Sequence, residues 1–141
     1  MSAGRGAGAR AGWEELYSRA REVQRPRALS PFAEAGGVAA ALLAADETVY
    51  TGVCIDMACG LGMCAERAAA AQMITCGQGR VLKLVVLMPD GRTGVPCGAC
   101  CDFLLQMDPE NSETEVLLGP QSDQSIRLRE LAPHWWGQDR L

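Results

Sequence analysis

The sequence predicts one three-layer α/β domain built on a mixed sheet. Two observations carry this. Apolar runs of strand length alternate with stretches of helical spacing, in the order helix, hairpin, helix, strand, helix, strand, strand. A chain of 141 residues that is 48% apolar has the length of a single domain. Such a chain buries about two thirds of the surface it exposes when unfolded.

Residues 1–12 are mostly Gly, Ala and Arg and have nothing to bury, so they read as a disordered tail ahead of a domain over 13–141. Trp13, Leu16, Tyr17, Ala20 and Val23 recur at helical spacing, and Pro26 stops that helix. Ser30, Pro31 and Phe32 belong to the loop that follows. Residues 38–44 and 49–55 read as the two strands of a hairpin, with Asp46 and Glu47 at the turn. Gly60 and Gly62 mark a loop. The alanine-rich stretch 64–74 has high helix propensity. Residues 81–88 are apolar except for Lys83, which suits a buried central strand. Asp90 and Gly91 form a turn, and 98–107 a second central helix. Short strands over 115–118 and 125–128 and a turn over 129–131 complete the domain.

Charge and cysteine usage narrow the function. The net charge is −4 with no block of like charges, which argues against a nucleic-acid polymer as partner. A small, neutral substrate is the simpler expectation. No apolar run is long enough to span a bilayer, and the N-terminus lacks the apolar core of a signal peptide. No membrane partner and a reducing cytoplasm are therefore expected. The seven cysteines are an odd number that includes a Cys-x-x-Cys, which fits metal binding better than a disulfide framework.

Chemistry concentrates in two stretches, Cys64-Ala65-Glu66-Arg67 and Pro96-Cys97-Gly98-Ala99-Cys100. Cys64, Cys97 and Cys100 could supply three thiolates to Zn2+, leaving a fourth tetrahedral position for water. Each stretch opens a predicted helix, whose free N–H groups and positive dipole end favour thiolate. Glu66 stands two residues from Cys64, so on a helix it points elsewhere and can serve as general acid/base. Arg67 could donate to the sulfurs and offset their charge. Pro96 lacks an N–H and fixes the entry to the second helix. Other readings stay open. Cys101 or Cys59 could complete a structural site, and Glu66 alone could be an ordinary first-turn glutamate. Cys76 and Cys101 read as structural, and His134 as a surface residue.

These two motifs, in this order, resemble those of the small zinc-dependent cytidine deaminases and the neighbouring blasticidin S deaminases. The hairpin VAAALLAADETVYTGV and the ending RELAPHWWGQDRL resemble the same family. The resemblance implies an α/β/α fold with a five-stranded mixed sheet, hydrolytic loss of the 4-amino group of a cytosine nucleoside, and a homotetramer. It implies catalysis by Glu66 and substrate contacts at Cys54, Asp56, Ala65, Pro96 and Trp136, the last reaching toward a neighbouring subunit's pocket. Family members carry Asn-Val-Glu where this chain has Cys54-Ile55-Asp56. In the family that Asn and Glu grip the ribose 3′-hydroxyl, and a thiol is a poor substitute for an amide. A cytosine nucleoside with an altered sugar, of the blasticidin S kind, is therefore expected to be turned over better than cytidine. Another aminated heterocycle, or a zinc-binding module without turnover, are the alternatives.

Overall fold

Alternating side chains on one long strand divide this molecule into layers. The structure, a computed structural model, describes residues 11–119 and 124–140. In chain order it has helix α1 (Trp13–Val23), strands β1 (Arg27–Ser30), β2 (Ala33–Ala44) and β3 (Val49–Met57), and helix α2 (Ala65–Thr75). Strands β4 (Val81–Leu87) and β5 (Thr93–Gly94), helix α3 (Gly98–Met107), strands β6 (Glu115–Leu117) and β7 (Ser125–Arg127) and helix α4 (Leu128–Leu131) follow. On β2, Ala39, Ala41 and Leu43 face one way and pack with Leu16 and Ala20 of α1. Ala40, Leu42 and Ala44 face the other way and pack with Ala69 and Met73 of α2 and Leu104 of α3. A period of two therefore assigns each residue to one of two cores.

The principal strands run β3-β2-β4-β6-β7, as expected for a mixed sheet, with β4–β6 the parallel pair and the others antiparallel. Two short strands extend the expected five: β1 pairs with the start of β2, and β5 with the end of β4. Strand β2 also begins earlier than its apolar pattern, because four of its first five residues are alanine or glycine and give no apolar contrast to signal a strand. Gly36, at φ +88°, lies so close to the Arg25 carbonyl that an added Cβ would stand 2.0 Å from its oxygen. Only glycine fits there.

Most of the stretch expected as a tail, residues 1–10, lies outside the described residues. Ala11 is buried, and the Gly12 carbonyl accepts a bond from the Leu16 N–H at 3.1 Å. Cys101 packs in the core, as expected. Cys76, expected to be structural, is instead exposed at the C-terminal end of α2. The helix ends there and turns its last residue outward. Asn111 is the buried polar hub: its amide donates to Gly79 and Leu104 carbonyls, and its oxygen accepts from the Val81 N–H.

Candidate active site

Two helix N-termini converge on one spot. Cys64 and Cys97 are the N-caps of α2 and α3, and Cys100 lies in the first turn of α3. Helix α2 can come this close to the sheet because its inner face is alanine and the strand beneath it offers Gly52. An added Cβ on Gly52 would lie 2.4 Å from the Ala69 nitrogen and 2.7 Å from the Ala65 carbonyl oxygen. The three thiol sulfurs come within 4.8 Å of one another, and Cys64 Sγ lies 3.7 Å from Cys97 Sγ.

The electrostatics of this trio fit a soft dication. Burial by itself would raise the Cys97 thiol, but N–H groups of Cys100 and Ala99 and the neighbouring thiols outweigh it and bring it below its ordinary range. Burial and the Glu66 charge push Cys100 well above its ordinary range. Three thiols this close do not all ionise unaided, because each charge opposes the next. A dication removes that conflict by binding all three as thiolates. Arg67 Nη2 donates to Cys64 Sγ at 3.6 Å, and the thiols of Cys64 and Cys100 hold the guanidinium firmly charged. Arg67 Nε is buried with no partner, so donors are in surplus beside the sulfurs. That surplus suits an anionic tris-thiolate. Cys101, one residue beyond, is a poor fourth ligand. Burial pushes its thiol up to about 11, and it donates to the Pro96 carbonyl instead.

Glu66 is 4% exposed, in the first turn of α2, and burial raises its carboxyl above the ordinary range against the opposing charge of Arg67. A carboxyl moved toward neutrality is suited to taking and returning a proton. It lines a cleft of about 630 Å³. Cys54, Asp56, Ala65, Arg67 and Cys97 line the same cleft. Its walls are otherwise largely apolar, including Val38, Val86, Met88 and Val95.

Two further expected positions lie outside the lining of this cleft. Pro96 is buried beside the cleft, where its carbonyl accepts the Cys101 thiol, while its neighbours Val95 and Cys97 line the wall. Trp136 is exposed and away from the cleft of its own chain. Its indole N–H and that of Trp135 both donate to Asp102 Oδ1, at 2.6 and 2.7 Å, pinning the C-terminal segment to α3. Cys59 is exposed in the loop before α2 and does not line the cleft. His134 is exposed.

The strand end that carries Cys54 and Asp56 is reshaped. Register shifts between Ala35 and Ala39 of β2, and in that bulge the Val38 N–H donates to Cys54 Sγ at 3.2 Å. Cys54 Sγ stands 3.8 Å from Asp56 Oδ2. Glu34 lies directly across from Asp56 on β2, so two carboxylates share this face. Glu34 could have been found only by extending β2 back through its alanines and glycines.

No family model matches the chain. It is 38% identical over 99 residues to a cytidine deaminase of Halalkalibacterium halodurans, covering 68% of this chain and 74% of that protein. Over 105 residues it is 34% identical to a cytidine deaminase of Mycobacterium tuberculosis, covering 74% of this chain and 75% of that one. A crystal structure of cytidine deaminase from Mycobacterium tuberculosis superposes with a TM-score of 0.72 at 30% identity, over 90% of this chain and 98% of that chain.

Proposed function

Since the chain belongs to the cytidine deaminase family and is a hydrolytic deaminase, we propose that it removes the 4-amino group of a free cytosine nucleoside with Zn2+ held by Cys64, Cys97 and Cys100. The observation that carries this is the buried Glu66 carboxyl beside three converging thiols, with Glu66, Cys64 and Cys97 lining one cleft. When bound, the metal supplies Lewis acidity, lowering the pKa of a coordinated water. The protein supplies the proton path. Glu66 accepts one proton from the attacking water and passes it to the ring nitrogen, then takes the second from the new C4 hydroxyl and passes it to the departing amine. Its burial raises the carboxyl above its ordinary range, which favours its holding the proton between transfers. Arg67 offsets the charge of three thiolates, which would otherwise blunt the metal as a Lewis acid. Ala65 and the apolar walls exclude water from around the ring.

The sugar end is where this chain differs from its relatives' pattern. We infer that Cys54 and Asp56 meet the sugar and that a cytosine nucleoside with an altered sugar, of the blasticidin S kind, is turned over at least as well as cytidine. Two features support this. The Cys54 thiol is occupied by the Val38 N–H, and it lacks the paired donor and acceptor of an amide. A second carboxylate, Glu34, adjoins Asp56. A site that hydrogen-bonds a hydroxyl discriminates strongly through those bonds, so their loss changes preference. We further propose a cytoplasmic homotetramer in which the exposed Trp136 turns toward a neighbouring copy. Its 59% exposure, along with that of Phe32 at 70% and Leu61 at 97%, supplies apolar surface for such contacts.

The deciding experiment combines metal analysis with ultraviolet assays of cytidine, deoxycytidine and blasticidin S. Stoichiometric zinc and turnover of at least one of these are expected. A kcat/KM for cytidine far above that for blasticidin S, unchanged in Cys54→Asn, would refute the altered sugar preference.

A further inference from the structure

The sheet stops pairing where the cleft begins. The last β2–β4 pair is Ala39 with Leu87. Beyond it β2 bulges through Gly36, Gly37 and Val38, and β4 runs out at Met88. Gly37 and Met88 face each other across the gap as parts of the cleft wall. Among the described residues neither has a register partner between β2 and β4, and from the backbone the Met88 carbonyl accepts only locally, from the Gly91 N–H at 2.9 Å in the turn that follows. One side chain takes the ladder's place. Gln24, just past the end of α1, is 7% exposed. Its Nε2 donates to the Gly37 carbonyl at 3.0 Å and the Met88 carbonyl at 2.8 Å, with the Leu87 carbonyl at 3.5 Å. Its own oxygen is held by Arg21 Nη1 at 2.8 Å, which fixes which way the amide faces. An amide nitrogen has two protons, enough to bridge both walls at once.

We propose that Gln24 is a positioning residue that sets the spacing of the cleft walls at Gly37 and Met88, and through them the binding of the nucleoside. Resting on the reading of this cleft as the substrate site, the inference deepens it. Gln24 touches none of Cys64, Glu66, Cys97 and Cys100, which sit on the N-termini of α2 and α3. Its loss therefore loosens the wall and leaves the proton path in place. Interactions made equally in the ground and transition states appear in KM, not kcat. Gln24→Met keeps the length and removes the donors.

The test measures Gln24→Met and Arg21→Met against the wild-type holoenzyme. In Gln24→Met, KM for the best cytosine nucleoside rises about ten-fold, the scale of a lost buried hydrogen bond, while kcat stays within about two-fold and zinc content is unchanged. Hydrogen exchange read by mass spectrometry should speed up in segments 35–39 and 86–92 and stay unchanged in 98–107. Arg21→Met, at an exposed residue, should show the same pattern more weakly, and it carries the test should Gln24→Met fail to fold. A fall in kcat at constant KM would overturn the inference. So would exchange that rises evenly along the chain or does not change. A wild-type enzyme with no turnover of any cytosine nucleoside would refute the substrate reading instead, and the exchange pattern alone would then decide the role of Gln24.

Discussion

Gly52→Ala adds one carbon at the place where α2 rests on β3. That carbon would stand 2.4 Å from the Ala69 nitrogen, 2.7 Å from the Ala65 oxygen and 2.9 Å from the Ala68 carbonyl carbon. All three are backbone atoms, so no side chain can swing aside. A carbon needs about 3.5 Å from such neighbours, and α2 must back off by roughly 1 Å. Over-packing of this kind costs about 1–3 kcal/mol. For a chain of this size the Tm should fall by roughly 5–10 °C. The catalytic effect should be larger than the stability effect, because α2 begins with Cys64 and Glu66. A misplacement of about 1 Å costs on the order of 100-fold in rate. The assay is a melting curve beside steady-state kinetics on zinc-loaded protein. Gly37→Ala is the control for stability, since an added carbon there meets nothing within 4 Å. A Gly52→Ala enzyme with wild-type Tm and kcat would refute the close seating of α2 on β3 and its hold over Glu66.

Three more outcomes are expected. Glu66→Gln should keep zinc and lose about two to four orders of magnitude in kcat, read by metal analysis and kinetics on one preparation. Cys97→Ala should lose the metal, and stoichiometric zinc in that variant would reject the three-thiolate assignment. Asp102→Ala should free both indole N–H groups and shift tryptophan emission to the red. In the intact protein the bonds from Trp135 and Trp136 hold the Asp102 carboxyl below its ordinary value of 3.8. The stability it contributes is thus present above that value and lost as pH falls through the depressed one, which an acid titration of emission will show.

Features encoded in local pattern were legible in the sequence. The helices over 13–23 and 98–107 agree with expectation to the residue, because each has a clear periodic face or a clear start. The convergence of Cys64, Cys97 and Cys100 was legible because their spacing along the chain is that of a metal site. The cleft walls were not. Gln24 acts through backbone carbonyls 13 and 64 residues away in sequence, and nothing at position 24 distinguishes it from a surface glutamine. Strand β1 has no apolar alternation because all four of its residues are exposed, and the early part of β2 is mostly alanine and glycine, which give no contrast between faces. The place of Trp136 before Gly137 singles it out, but the capture of its N–H by a carboxylate on α3 is not written nearby in the sequence. That capture depends on tertiary approach, which no local pattern records.

The exposure of the cysteines also gives the proposed Zn2+ site a chemical readout. Cys54, Cys100 and Cys101 are buried, while Cys59 and Cys76 are exposed and lie outside the thiol trio. Cys64 and Cys97 are the accessible members of that trio. A chromogenic thiol titration should therefore find two fast-reacting groups in loaded protein, with Cys64 and Cys97 joining them once a chelator strips the ion. The rate of that second phase would report metal release directly, with no substrate present. Cys59 and Cys76, near opposite ends of α2, could meanwhile carry a pair of spectroscopic labels.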